Sequence, residues 1–222
     1  MTPPIARPFP RFIADTSREK RPYGRWEEQL KEAFLAACSK LAAEAGTELD
    51  LEALRFYPER SWGRRTFVPV VGRGSGEGSG TEFYGHLSFD RDSDGEPGEL
   101  RVEADFTDVT ADDNPDWKLD LNDDVVGQWQ ADGSRGGDVT LIWGTPLVRG
   151  AIAVTAELDG DVIDQAAVND GRFSLMAVDA VHGFGDDLFL EVVLWDRSLN
   201  TIASESLYEA GEEDPEEDEV EP

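Results

Sequence analysis

Apolar positions recur every three or four residues through one stretch of the chain and every second residue through much of the rest. Trp26, Leu30, Phe34, Ala37, Leu41 and Ala45 fall on one stripe, which predicts a helix over Arg25 to Ala45 with Gly46 as its stop. A further turn of helix is expected about Leu49 to Leu54, and beyond it the period shortens to two. Thr66 to Val71 is apolar and β-branched, with Pro69 marking an edge or a bulge. In Glu82 to Phe89, Phe83, Leu87 and Phe89 share a face, with Tyr84, His86 and Ser88 on the polar side. Leu100, Val102, Ala104 and Phe106 alternate with Arg101, Glu103, Asp105 and Thr107, the pattern of a strand buried on one side and wet on the other.

From Asp138 the pattern is purely β. Val139, Leu141 and Trp143 alternate, as do Ile152, Val154, Ala156 and Leu158 up to an Asp159-Gly160 turn. Asn169-Asp170-Gly171 precedes Phe173, Leu175 and Ala177. Leu188 to Trp195 is apolar on both faces, as a central strand would be, and Ile202 to Leu207 closes the set. The fold class expected is α+β: an N-terminal helix on an antiparallel sheet over residues 25–137, followed by a small β-sandwich over 138–208. The strand spacing is similar to that of transthyretin-like and immunoglobulin-like modules in general, and no family is assigned on it. Pro3, Pro4, Pro8, Pro10 and Pro22, interleaved with Arg and aromatic residues, predict an extended basic arm over 1–24.

Charge adds the strongest asymmetry. The 222 residues carry 20 Lys plus Arg and 48 Asp plus Glu, a formal charge of -28. Up to Arg73 there are 13 bases against 10 acids, and after it 7 against 38. Nine of those acids lie in Glu209 to Pro222, which holds no base and predicts a disordered tail over 209–222. Such a balance excludes a nucleic-acid binder working by bulk charge, since a polyanion displaces no counterions from another. The 16 Arg against four Lys also fit the composition of a high-GC or salt-adapted proteome, in which acidity speaks to solubility before mechanism. One cysteine, Cys38, permits no internal disulfide. The first residues lack the apolar run of a signal peptide, and no stretch reaches the length needed to cross a bilayer, so a cytoplasmic protein with no membrane partner is expected.

Arg60, Arg64, Arg65 and Arg73 gather around Trp62, and with Arg7 and Arg11 of the arm they form the expected anion-binding residues, because guanidinium groups grip carboxylates bidentately and stack on indole. Asp90-Arg91-Asp92-Ser93-Asp94-Gly95 opens like a calcium loop, and Asp90, Asp92, Asp94 and Glu96 are the expected cation ligands. Arg101 stands where the bidentate Glu belongs, and no helix flanks the loop. No other cofactor is expected.

Glu48-Leu49-Asp50-Leu51-Glu52 resembles the E-x-D-x-E motif of laminarinase-type glycosidases over these five residues. The strands those enzymes place before the motif are replaced here by a helix and an Arg/Pro arm. The Gly-rich stretch Gly72 to Gly80 leads into no helix and reads as a hairpin connection. His86 and His182 are too few for a three-histidine centre and read as ordinary surface residues. Cys38, at the edge of its helical stripe, reads as a small core residue.

The function expected is a non-enzymatic interaction or assembly protein that uses a basic arm and an acidic body to engage a protein partner or further copies of itself. The alternatives are a carboxylate- or divalent-cation-dependent hydrolase, and an acidic mimic of DNA that occupies the basic groove of a nucleic-acid-binding protein.

Overall fold

The computed structural model describes residues 26–75, 80–91, 98–130, 136–180 and 190–207. The arm and the acidic tail lie outside them, as do residues 76–79 of the glycine stretch, His182, and Asp92, Asp94 and Glu96 of the expected cation loop. The chain forms one helix and thirteen strands among these residues, all strand pairs antiparallel.

Helix α1 spans Glu27–Ala45. Glu27 and Glu28 stand in its first turn, where the exposed amide dipoles favour negative charge, and Lys31 reaches both at 3.1 and 3.5 Å. Gly46, at φ 68°, ends it by returning its N–H to the Ala42 carbonyl. The buried seam is Leu30, Phe34 and Cys38, spaced by four. Cys38, expected at the margin of the stripe, sits at its centre, and burial pushes its thiol up to about 12.

The first sheet comprises β1 (Glu48–Leu49), β2 (Arg55–Phe56), β3 (Arg60–Trp62), β4 (Arg65–Ser75), β5 (Glu82–Asp90) and β6 (Arg101–Thr107), ordered β1-β4-β5-β6, with β2 and β3 also paired to β4. A single 3-10 turn, Leu51–Ala53, stands where a turn of helix was expected. One face of the first sheet carries Val68, Val70, Phe83, Leu87 and Phe89 against the seam of α1. β4 is an interior strand, not the edge that Pro69 suggested. Phe56 is the last residue of β2 and Arg60 the first of β3, so the missing N–H of Pro69 faces the gap between them, while its carbonyl takes the N–H of Tyr57 at 2.9 Å.

A three-stranded sheet, ordered β11-β8-β7, is built from β7 (Leu119–Gln130), β8 (Gly136–Pro146) and β11 (Phe173–Ala180). A four-stranded sheet, ordered β10-β9-β12-β13, is built from β9 (Ala153–Leu158), β10 (Asp161–Ala167), β12 (Leu190–Trp195) and β13 (Thr201–Ser206). Strands β8 and β11 of the three-stranded sheet are buried on both faces. Val139, Leu141, Trp143 and Met176 meet Tyr57, Phe67 and Val71 of the first sheet. On the reverse, Ile142, Phe173, Leu175 and Ala177 share a cluster with Val154, Ala156, Leu190, Val192 and Leu194 of the four-stranded sheet. Period-two alternation along β8 and β11 thus supplies two cores from one layer. The boundary expected at 137–138 falls inside β8, and β7 pairs with β8 from Leu119 to Gln130.

The predicted Asp159-Gly160 turn has both residues at positive φ, 49° and 82°, the arrangement that joins β9 to β10 by a two-residue hairpin. Asp170 and Gly171 repeat it at 49° and 74°. No helix among the described residues is long and apolar enough to cross a membrane.

Candidate functional site

The residues named for anion recognition divide between two places. Arg60, Trp62, Arg64 and Arg65 lie together on the β3–β4 hairpin, whereas Arg73 is at the far end of β4, about 26 Å from Arg65 at a rise of about 3.3 Å per residue. Arg7 and Arg11 are outside the described residues. Arg60 turns inward: its Nε donates to the Ser174 carbonyl at 2.8 Å, its Nη2 donates to the same oxygen, and Asp164 Oδ2 is 3.8 Å away. Arg73 pairs with Asp112 at 2.8 Å. Trp62 is half-buried beside Gly127, where a Cβ would stand 3.4 Å from the indole. Arg64 is exposed at the turn, and Arg65 is half-buried opposite Asp90.

Of the expected cation ligands, Asp90 ends β5 as an exposed residue whose carbonyl accepts the Gly98 N–H at 2.8 Å. Glu48, Asp50 and Glu52 do not present one catalytic face. Asp50 caps the 3-10 turn by accepting the Glu52 N–H at 2.9 Å, and both glutamates are exposed. Among the described residues, Glu48 is the one ionisable residue lining a shallow open depression of about 440 Å³ between the end of α1 and Ser75.

Ionisable side chains gather elsewhere, on the face of β5 and β6 that looks away from α1 toward β7. Strand alternation puts Glu82, Tyr84 and His86 on that face of β5 and Glu103 and Asp105 on that face of β6, since Phe83, Leu87, Val102, Ala104 and Phe106 point to the helix. His86 is directly opposite Glu103 in register. Between them and Tyr84 sits Gly85, at φ 155°; a Cβ there would lie 2.1 Å from the Glu103 carbonyl oxygen, so only glycine lets the two backbones approach so closely.

β7 lies over this face and brings Asp124 Oδ2 to 3.2 Å from His86 Nδ1. His86 is 2% exposed, and the tilted ring of Phe67 stands 5.5 Å from its imidazole. At that distance the two atoms still make no hydrogen bond, and Nδ1 has no other hydrogen-bond partner. Donor atoms of His86, Glu103 and Asp124 all lie within 4.8 Å of one another. Around them the field is negative. Burial first, then Asp124, pushes the Asp123 carboxyl up; burial, then Asp105, Asp123 and Asp124, pushes the Tyr84 phenol up.

Four residues along the same strands is a second gathering. Glu82 is buried, and its carboxyl is pushed up to about 7, chiefly by burial and next by Asp120, against the pull of Arg73 and Arg55. Asp120 is pushed up by burial against the same two arginines. Beside it, Thr145 is paired in register with Asp120 and shares a 3.2 Å hydrogen bond with the Tyr57 hydroxyl; burial pushes that phenol up to about 12. A carboxyl poised near neutrality beside a second one is able to take or give a proton.

β7 is hard to recognise from the sequence, because Leu119-Asp-Leu-Asn-Asp-Asp-Val is rich in residues that disfavour strands. The alternation of Leu119 and Leu121 with Asp120 and Asn122 was its legible signal. His86 was placed correctly on the polar face of β5, but that face is covered rather than open to water.

No protein-family model matches the chain, and no curated protein or solved structure matches it either. The described residues are mostly β, with one helix and several antiparallel sheets, consistent with the α+β class.

Proposed function

We propose that this is a non-enzymatic interaction protein whose acidic β6–β7 face receives a basic segment of a partner. The observation that carries the reading is the grouping of Asp105, Asp123 and Asp124 around Tyr84, where burial and the neighbouring carboxylates already push Asp123 and Tyr84 toward their protonated forms. A cationic segment laid there relieves that repulsion, which makes charge complementarity the source of affinity and steering. Residues 1–24 of a second copy, with Arg7, Arg11, Arg18, Lys20 and Arg21, supply such a segment, so self-association is the form of the reading to test first.

Sedimentation equilibrium of the full chain at low and high salt tests it. Self-association at low salt that disappears both at high salt and in an Arg7→Ser, Arg11→Ser, Arg18→Ser variant supports the reading. If the intact chain is a monomer at both salts, a lysine-rich peptide is titrated instead by fluorescence anisotropy. The reading fails if Asp105→Asn plus Asp123→Asn leaves that affinity unchanged.

Glu82 favours a second reading, a carboxylate-dependent hydrolase with Glu82 as proton donor and Asp120 beside it. It requires a turnover that follows an apparent pKa near that of Glu82 and is lost in Glu82→Gln.

A further inference from the structure

We infer that His86, Glu103 and Asp124 form a binding site for one borderline divalent transition-metal cation of the zinc type, which fastens β7 to the first sheet. Glu103 and Asp124 also belong to the acidic face proposed above, but the metal site does not depend on that reading.

A buried histidine nitrogen without a hydrogen bond is costly unless something else satisfies it. Nδ1 of His86 is in that position, on a ring 2% exposed, although a carboxylate oxygen stands 3.2 Å away. The combination is poor for a hydrogen bond, whose acceptor belongs on the N–H axis. It suits a shared cation. Two tetrahedral ligands at about 2.1 Å from a zinc ion stand about 3.4 Å apart, each off the axis of the other. His86 and Asp124 are near that spacing already. Glu103, exposed and directly opposite His86 in register, has its donor within 4.8 Å of the others and needs only a rotamer adjustment to close a three-ligand set.

The donor chemistry selects the ion. One imidazole nitrogen and two carboxylates suit zinc and its neighbours in the first transition row, whereas calcium takes an all-oxygen shell of six to eight ligands. Two carboxylates also neutralise the charge of a divalent ion held in a partly buried place. His86 and Glu103 belong to the first sheet and Asp124 to the three-stranded one, so the ion bridges two layers, with its open side at Glu103 available to water.

The test is a titration of the intact chain with zinc chloride, followed by the imidazole nitrogen signals in proton–nitrogen NMR and by thermal melting. The expected result is a saturable shift of the His86 Nδ1 signal at one equivalent, with a higher melting temperature. Asp124→Asn and Glu103→Gln should each weaken binding at least tenfold, while the charge-matched control Asp161→Asn on β10 leaves it unchanged. Both test variants alter rim residues, and their metal-free melting curves establish that they fold. The inference is overturned if zinc does not bind, if the His86 signal stays in place at saturation, or if the control loses as much affinity as the other two, which would mark diffuse attraction to an acidic surface.

Discussion

Arg60 of β3 donates from both Nε and Nη2 to the backbone carbonyl of Ser174 on β11, so a side chain expected to seek an external anion ties two sheets of its own fold together. Arg172 makes a parallel link by donating to the Phe56 carbonyl at 2.8 Å. A charged donor satisfies a buried acceptor better than a neutral one.

Replacing Arg60 by Met keeps the packing of the stem and removes the donors. The loss is expected to cost about 2 to 3 kcal/mol, because the Ser174 carbonyl is left buried and unpaired. Arg64→Ala, at the exposed turn of the same hairpin, should change stability by less than about 0.5 kcal/mol. Urea unfolding of both variants checks the contrast, and equal effects would contradict the assigned role of Arg60.

Glu82 makes stability fall as pH rises. Its carboxyl is held at about 7 in the folded chain against an ordinary 4.5, so the folded state binds the proton more tightly than the unfolded one. The stabilisation is complete below the ordinary value and is lost as the pH climbs through about 7, a total of about 3 kcal/mol. Asp120 and Asp123, both raised, act in the same direction. Urea midpoints at pH 5 and pH 8 should therefore converge in Glu82→Gln relative to the parent chain. A difference of the same size in both would show that Glu82 is not the source.

Gly85→Ala is expected to destabilise by about 3 kcal/mol. The added methyl would meet the Glu103 carbonyl oxygen at 2.1 Å and the Ala104 Cα at 2.8 Å, so two paired backbones must part, in a conformation that L-residues rarely adopt. Gly150→Ala, at φ 94° with nothing within 4 Å, carries the strain of the backbone without the collision and should cost less. Thermal unfolding of the pair separates collision from strain.

Cys38 should resist a thiol reagent at pH 8 until the chain unfolds. The side chain is 1% exposed and its thiolate form is suppressed by burial, so labelling follows opening of the α1 seam. One equivalent should react in concentrated urea and almost none without it. Rapid labelling of the native chain would place α1 off the sheet.

The helix over Glu27–Ala45, the inward faces of β5 and β6 and the Asp-Gly hairpins were readable from the chain, because each rests on interactions within about ten residues: a 3.6 or 2.0 period, a left-handed glycine, an aspartate in a turn. What a face is covered by is not local information. Arg60 could not be recognised as an internal clamp without β11, which lies over a hundred residues away, nor could Pro69 be placed in an interior strand without the break between β2 and β3. The same holds for His86. Its own strand determined which way it points, and only the packing of an aspartate-rich β7 decided that it is buried, left without a hydrogen bond at Nδ1, and faced by Asp124 and Glu103. Periodicity assigns a side chain to a face; the long-range pairing that closes the layers supplies its neighbours, and with them its chemistry.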